Sequence, residues 1–306
     1  MPEWFEGFEA AYHDVNGVTL FARHGGNGPP LLLLHGFPQT HAIWHRVAQQ
    51  LAEHFFLVMP DLRGYGDSAK PADAAAHASY SKRAMAADVL ALMQELGHRR
   101  FAVAGHDRGG RVAHRLALDH PDAVTRLCLI DIAPTLDMYE ATDMAFARHY
   151  YHWFHLIQPA PLPERMIGGN ARFYLHWVLG SLGSLGSLGP AQLSFVESQA
   201  LEEYERCFCT AEGIHGACED YRASAGIDLD HDRASREAGE KITSDLHVLW
   251  GGRCVIHKLF DLPTLWRAQC AGALSHRVLP AGHFIPEELP QAIAQEFLAF
   301  FLDRAP

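Results

Sequence analysis

No apolar run in this 306-residue chain approaches the roughly 20 residues that a membrane-spanning helix needs, so a bilayer is not an expected partner. Positive charge is scarce as well: 25 lysines and arginines stand against 36 aspartates and glutamates, a formal net charge of -11. With no Lys/Arg-rich stretch to neutralise phosphates, nucleic acid is not an expected partner either. A small anion stays open, because charges more than roughly 8 to 10 Å apart are largely screened in physiological salt and locally concentrated arginines still act. The six cysteines (Cys128, Cys207, Cys209, Cys218, Cys254, Cys270) lack C-x-x-C spacing and are few for a secreted disulfide scaffold, so reduced thiols are expected. The opening Met-Pro-Glu-Trp-Phe-Glu has neither a basic n-region nor an apolar h-region, and the expected location is cytoplasmic. There is no H-E-x-x-H, and the 21 histidines are mostly scattered singly, so no metal is expected.

The 48% of residues that are hydrophobic suffice for one large α/β core or two smaller domains. Glu9 to Asp14 and Val18 to Arg23 flank Asn16-Gly17, a two-residue hairpin signal that predicts an antiparallel pair at a sheet edge. Leu31 to Leu34 and Phe55 to Met59 are continuous apolar runs that suit strands buried on both faces, with a helix from about His41 to His54 between them. A helical period over Ser81 to Leu96 is capped by Gly97; Phe101 to Ala104, a helix to about His120 and a strand Arg126 to Ile132 follow. This alternation predicts a parallel sheet covered by helices on both faces, with ligands beyond the carboxyl ends of the strands. Mostly helical, aromatic-rich sequence then runs to the next strong strand, Leu246 to Trp250, and the interval is too long for a connection. The expected organisation is a core domain of residues 1–134 and 240–306 with a helical cap of 135–239. A helix near Leu262 to Cys270, a strand at Arg277 to Leu279 and a helix from Pro290 to Leu302 close the chain. A Leu-Gly-Ser repeat from Leu179 to Gly189 argues against a regular helix there, since each interior glycine costs about 1 kcal/mol relative to alanine.

Between the strand at Phe101 and the helix that follows lies Gly105-His106-Asp107-Arg108-Gly109-Gly110. A strand turning into a helix through Gly-x-nucleophile-x-Gly is a nucleophile elbow, with an aspartate here in place of serine. A carboxylate attacking a saturated carbon gives an ester that a histidine-activated water can hydrolyse. Asp107 could equally be the N-cap of the helix, and the hexapeptide alone does not separate the two readings. His283, in a Gly-His loop after the last strand, stands where the chain order nucleophile, acid, histidine puts the base. The commoner position for the acid, just past Trp250, offers Arg253, Cys254 and Val255, and Asp261 is expected to open a helix; Asp131, after the strand that follows the elbow, is preferred. The oxyanion hole would come from the backbone N–H groups of Phe37 and Arg108. Arg108 and Arg111 lie three apart on one helix and can reach the same cleft, where their guanidinium groups and the helix N-terminus suit a carboxylate. Salt bridges to surface carboxylates are their ordinary alternative.

Together with His35-Gly36-Phe37-Pro38, Asp61-Leu62-Arg63-Gly64-Tyr65-Gly66, Asp131-Ile132-Ala133-Pro134-Thr135 and Gly282-His283-Phe284, the elbow resembles that of α/β-hydrolase-fold haloacetate dehalogenases, and among these the fluoroacetate dehalogenases. The single motifs are shared with epoxide hydrolases and haloalkane dehalogenases; Arg108 directly after the aspartate, where those enzymes typically carry tryptophan, is the more specific mark. The resemblance implies that His152, Trp153 and Tyr221 hold the departing halide, all three carrying N–H or O–H donors. It also implies a cofactor-free enzyme, a homodimer, and a small haloacid converted to a 2-hydroxyacid and halide through an ester on Asp107. Two rival readings remain. One is an epoxide hydrolase with Tyr150, Tyr151, Tyr174 or Tyr221 protonating the epoxide oxygen; the other is a non-catalytic receptor on the same fold.

Overall fold

The computed structural model describes residues 5–72, 74–183 and 193–302. Strands β1 (Glu9–Val15) and β2 (Val18–Gly26) form the expected hairpin, with Asn16 and Gly17 both at positive φ as a tight two-residue turn requires. Then come β3 (Pro30–Leu34), α1 (His45–Ala52), β4 (Phe56–Pro60), α2 (Lys82–Glu95), β5 (Phe101–His106), α3 (Arg108–Asp119) and β6 (Val124–Ile130). Eight helices follow: α4 (Thr135–Glu140), α5 (Met144–His149), α6 (Tyr151–Leu156), α7 (Leu162–Gly168), α8 (Ala171–Gly183), α9 (Ser198–Phe208), α10 (Ala211–Ser224) and α11 (Ile227–Glu237). The chain returns to the sheet with β7 (Asp245–Gly251), α12 (Val255–Leu259), α13 (Leu262–Gln269), β8 (Leu274–Leu279), α14 (Ile285–Glu288) and α15 (Pro290–Phe301).

The eight strands make one sheet in the order β1-β2-β4-β3-β5-β6-β7-β8, antiparallel at the β1-β2-β4 edge and parallel from β4 onward. The chain crosses to one side of β3 to build β4 and to the other to build β5, and such a reversal opens a crevice at the carboxyl ends. The period of two in β3 sorts its leucines between two cores. Leu31 and Leu33 pack with Val47 and Leu51 of α1 and Ile293 and Phe297 of α15; Leu32 and Leu34 pack with Met85 and Val89 of α2 and Val112 and Leu116 of α3. The second core runs without a break into the helical segment, taking in Trp153, Leu156, Leu175, Tyr204 and Tyr221.

Three expectations need correction. The run His41 to His54 is divided into a 3₁₀ turn, His41–Trp44, and α1. The last strand begins at Leu274, three residues earlier than expected, because it pairs with β7 from Leu246 to Gly251. Most instructive is the repeat: α8 continues through Leu179-Gly180-Ser181-Leu182-Gly183. Leu175, Val178 and Leu179 are fully buried, and their packing offsets the glycine penalty. The remainder of the repeat, 184–189, lies outside the described residues.

Candidate active site

At the end of β5 the chain must reverse sharply to enter α3, and Asp107 does so at φ 46, ψ -116, a conformation that a non-glycine residue adopts only under constraint. The flanking glycines make the turn possible: a Cβ on Gly105 would stand 2.5 Å from the Gly109 carbonyl oxygen, and one on Gly109 would stand 2.3 Å from that of His35. Asp107 stands at the N-cap position of α3 but makes no side-chain capping bond to it, so capping does not account for its carboxylate. Its Oδ2 instead accepts the Phe37 N–H at 3.0 Å across the top of the sheet. The Arg108 N–H is the first of α3 and belongs to the donors that every helix start leaves without a partner in the helix.

His283 and Asp131 meet over the same crevice, where His283 Nδ1 donates to Asp131 Oδ2 at 2.6 Å, leaving Nε2 as the free nitrogen. Asp131 follows β6 at φ 55, and the Gly251 N–H from the end of β7 donates to its Oδ1 at 2.9 Å. The His283 loop is pinned from both sides, since Glu288 accepts the N–H groups of Gly282 (2.7 Å) and Phe284 (3.2 Å). Burial alone would pull His283 down; its hydrogen bond and charge interaction with Asp131 and the charge of Asp107 outweigh burial and raise it above the ordinary imidazole value. For Asp107 burial pushes up, but His283, Arg111, His106 and Arg108 together hold it below the usual carboxylate range. The result is an ionised, strained carboxylate facing a histidine oriented by a second carboxylate.

Both arginines are buried beside Asp107. Neither forms the surface salt bridge that is the ordinary fate of arginine. Arg108 donates from Nε to Asp220 Oδ2 (2.7 Å) and from Nη2 to Asp220 Oδ1 (2.8 Å), while Arg111 donates from Nη1 to the Thr135 hydroxyl (2.9 Å) and the Ala133 carbonyl (3.2 Å). One nitrogen on each stays buried with no hydrogen-bond partner, Arg108 Nη1 and Arg111 Nε. The Arg108 guanidinium lies 4.2 Å from the centre of the Tyr221 ring and that of Arg111 4.8 Å from the Trp153 ring, contacts that favour a desolvated cation.

His152, Trp153 and Tyr221 come from α6 and α10 and are all buried. Ring centres lie 5.9 Å apart for His152–Tyr221 and 6.3 Å for Trp153–Tyr221, and the His152 ring stacks on Phe37. Among the described residues none of the three side chains has a hydrogen-bond acceptor. Burial drops His152 to about 3, so it is a neutral N–H donor at any working pH. Of the other candidate tyrosines, Tyr150 is buried, stacked on Phe146 and set against Trp153. Tyr151 and Tyr174 line a separate apolar groove with His155, Met166, Phe173 and Trp177.

Two residues of the site were not singled out from sequence. His106, inside the elbow, donates from Nε2 to the His283 carbonyl at 2.8 Å and lies 4.6 Å from its ring, and burial together with His283 lowers it to about 4. Its place next to Asp107, the candidate nucleophile, was the available signal. Asp220 carries the Arg108 fork, and its position just before Tyr221 was the only hint.

This geometry belongs to the α/β-hydrolase fold family: the family's model matches residues 29–290, and the chain is a member. Fluoroacetate dehalogenase of Burkholderia sp is 43% identical over 300 residues, 98% of this chain and 95% of that protein. Soluble epoxide hydrolase of Corynebacterium sp. (strain C12) is 33% identical over 299 residues, covering 96% and 98%. A solved structure of a candidate α/β hydrolase from Nostoc sp PCC 7120 superposes with a TM-score of 0.93 at 47% identity, covering 97% of this chain and 99% of that one. The expected fold class and the family resemblance are both met.

Proposed function

We propose that the protein hydrolyses a haloacetate to glycolate and halide, with Asp107 displacing halide to form an ester that water then cleaves. The observation that carries this reading is the pair of buried guanidinium nitrogens, Arg108 Nη1 and Arg111 Nε, without a partner beside the ionised Asp107. A buried donor left unmade costs roughly 1–3 kcal/mol, and a substrate carboxylate would satisfy both. Residues 135–239 act as the cap over a core of 1–134 and 240–306, and bring His152, Trp153 and Tyr221 to the halide. Asp107 attacks the halogen-bearing carbon from the opposite side. Nε2 of His283, with Nδ1 held by Asp131, then takes a proton from water as it adds to the ester carbonyl, and the Phe37 and Arg108 N–H groups receive the developing oxyanion. Atoms balance: the haloacid and one water give a 2-hydroxyacid, halide and a proton. Neither step calls for a cofactor or a metal, and the enzyme works in the cytoplasm as a homodimer.

A second reading, opening of an epoxide by Asp107 with the buried Tyr221 hydroxyl as the proton donor, is favoured by the 33% identical relative. Halide release from fluoroacetate and chloroacetate, measured beside diol formation from a simple epoxide, separates the two. Halide release with no diol supports the proposal; diol without halide overturns it.

A further inference from the structure

An arginine presents five N–H donors in a planar fork, and a first carboxylate bound to the fork decides how a second one can be met. Asp220 holds that first position on Arg108. Besides the two side-chain bonds, its main-chain carbonyl accepts from Nη2 at 2.9 Å. The Tyr65 hydroxyl donates to Asp220 Oδ2 at 2.5 Å, and the Lys82 ammonium pairs with Oδ1. Lys82 is in turn tied to Asp228, whose Oδ1 accepts the Lys82 backbone N–H at 2.8 Å and whose Oδ2 lies 3.6 Å from its ammonium. Two cations and two carboxylates are thus buried together as a formally neutral set, which removes the penalty of an uncompensated guanidinium. The set also joins two parts of the fold: Tyr65, Lys82 and Arg108 come from loops and helices on the sheet, Asp220 and Asp228 from α10 and α11.

We propose that Asp220 is a positioning residue for the substrate acid: by occupying the Arg108 fork it aims Nη1 alone into the site. The substrate carboxylate is then bridged by one N–H from Arg108 and one from Arg111, instead of being gripped by a single fork. Tyr221 is the next residue on α10, and its ring lies under the Arg108 guanidinium, so one helix sets both the carboxylate grip and one halide donor. Displacing α10 would loosen both ends of the substrate at once. This inference rests on the haloacid reading above.

The test compares wild type, Asp220→Asn and Tyr65→Phe for steady-state halide release from chloroacetate and for calorimetric binding of acetate, a carboxylate with nothing to displace. Asp220→Asn should raise the chloroacetate KM and the acetate Kd by about tenfold, the effect of one misdirected charge-assisted hydrogen bond, with kcat changed less than about threefold. Tyr65→Phe, which leaves the charges in place should the asparagine variant fail to fold, should raise both by about twofold to threefold at unchanged kcat. A fall in kcat at constant KM and Kd, or no change in Tyr65→Phe, would overturn the proposal. Absence of halide release from the wild type would overturn the substrate reading instead, while the acetate Kd of the variants reports on Asp220 alone.

Discussion

Replacing Asp131 by asparagine separates the two halves of the proposed reaction. The Asp131–His283 hydrogen bond is 2.6 Å long and entirely buried, and hydrogen bonds to charged groups contribute about 1.5–3 kcal/mol, equivalent to about 1–2 pKa units. Without the carboxylate, the two Asp131 contributions that raise His283 are lost, and burial pulls its value down. The carboxamide can also donate to Nδ1, which moves the ring proton to Nε2 and leaves no base; the same change in serine-protease triads costs about 10⁴-fold. Attack by Asp107 needs none of this. Asp131→Asn should therefore release about one equivalent of halide per active site and stall as an ester, with turnover reduced by about 10³- to 10⁴-fold. Rapid-quench halide assay and mass spectrometry of the peptide containing Asp107 read the two events. Steady turnover at the wild-type rate, or slow turnover with no adduct, would exclude a hydrolysis step that depends on Asp131. The side-chain ligand atoms of Asp131, Cys254 and His283 all lie within 4.8 Å of one another, so Asp131→Asn combined with Cys254→Asp should recover at least about tenfold of the lost hydrolysis, about 1.4 kcal/mol of barrier.

Three more outcomes follow from the structure. His283 must be neutral to act as a base, so activity falls as pH drops through its raised value; esterification removes the Asp107 charge, one cause of that rise, so the acid limb of kcat should lie below the His283 value titrated by NMR in the free enzyme. A limb at or above the NMR value would contradict this. Glu287 is raised by burial from 4.5 to about 8, so the folded protein retains a proton that the unfolded chain releases, and stability declines as pH rises from 4.5 through about 8; Glu287→Gln should flatten that decline in urea midpoints taken at several pH values. Leu33→Ala, fully buried between α1 and α15, should lower unfolding free energy by about 2–5 kcal/mol in the same assay.

What could be read from sequence was whatever short spacing encodes. The elbow needs small residues at fixed offsets from Asp107, and the order Asp107, Asp131, His283 along the chain is set by the order in which strands deliver their ends to one crevice. Asp220 was hidden because it meets Arg108 across 112 residues and lies on a helix whose local pattern reads as ordinary surface-charged sequence. The Leu-Gly-Ser start of the repeat was misjudged for a related reason, local propensity being outweighed by the burial of Leu175, Val178 and Leu179. The arginines show both sides. Their i, i+3 spacing placed them together beside Asp107, but only the structure shows that one is already forked onto a carboxylate and that each keeps a single buried nitrogen without a hydrogen-bond partner.

In the proposed mechanism the new hydroxyl oxygen of the product comes from Asp107 and not directly from solvent. A single turnover of chloroacetate with excess enzyme in heavy-oxygen water tests it. Unlabelled glycolate is expected in that first turnover, with heavy oxygen in the carboxylate of Asp107, found by mass spectrometry of the elbow peptide. Label in the glycolate hydroxyl with none in Asp107 would contradict it.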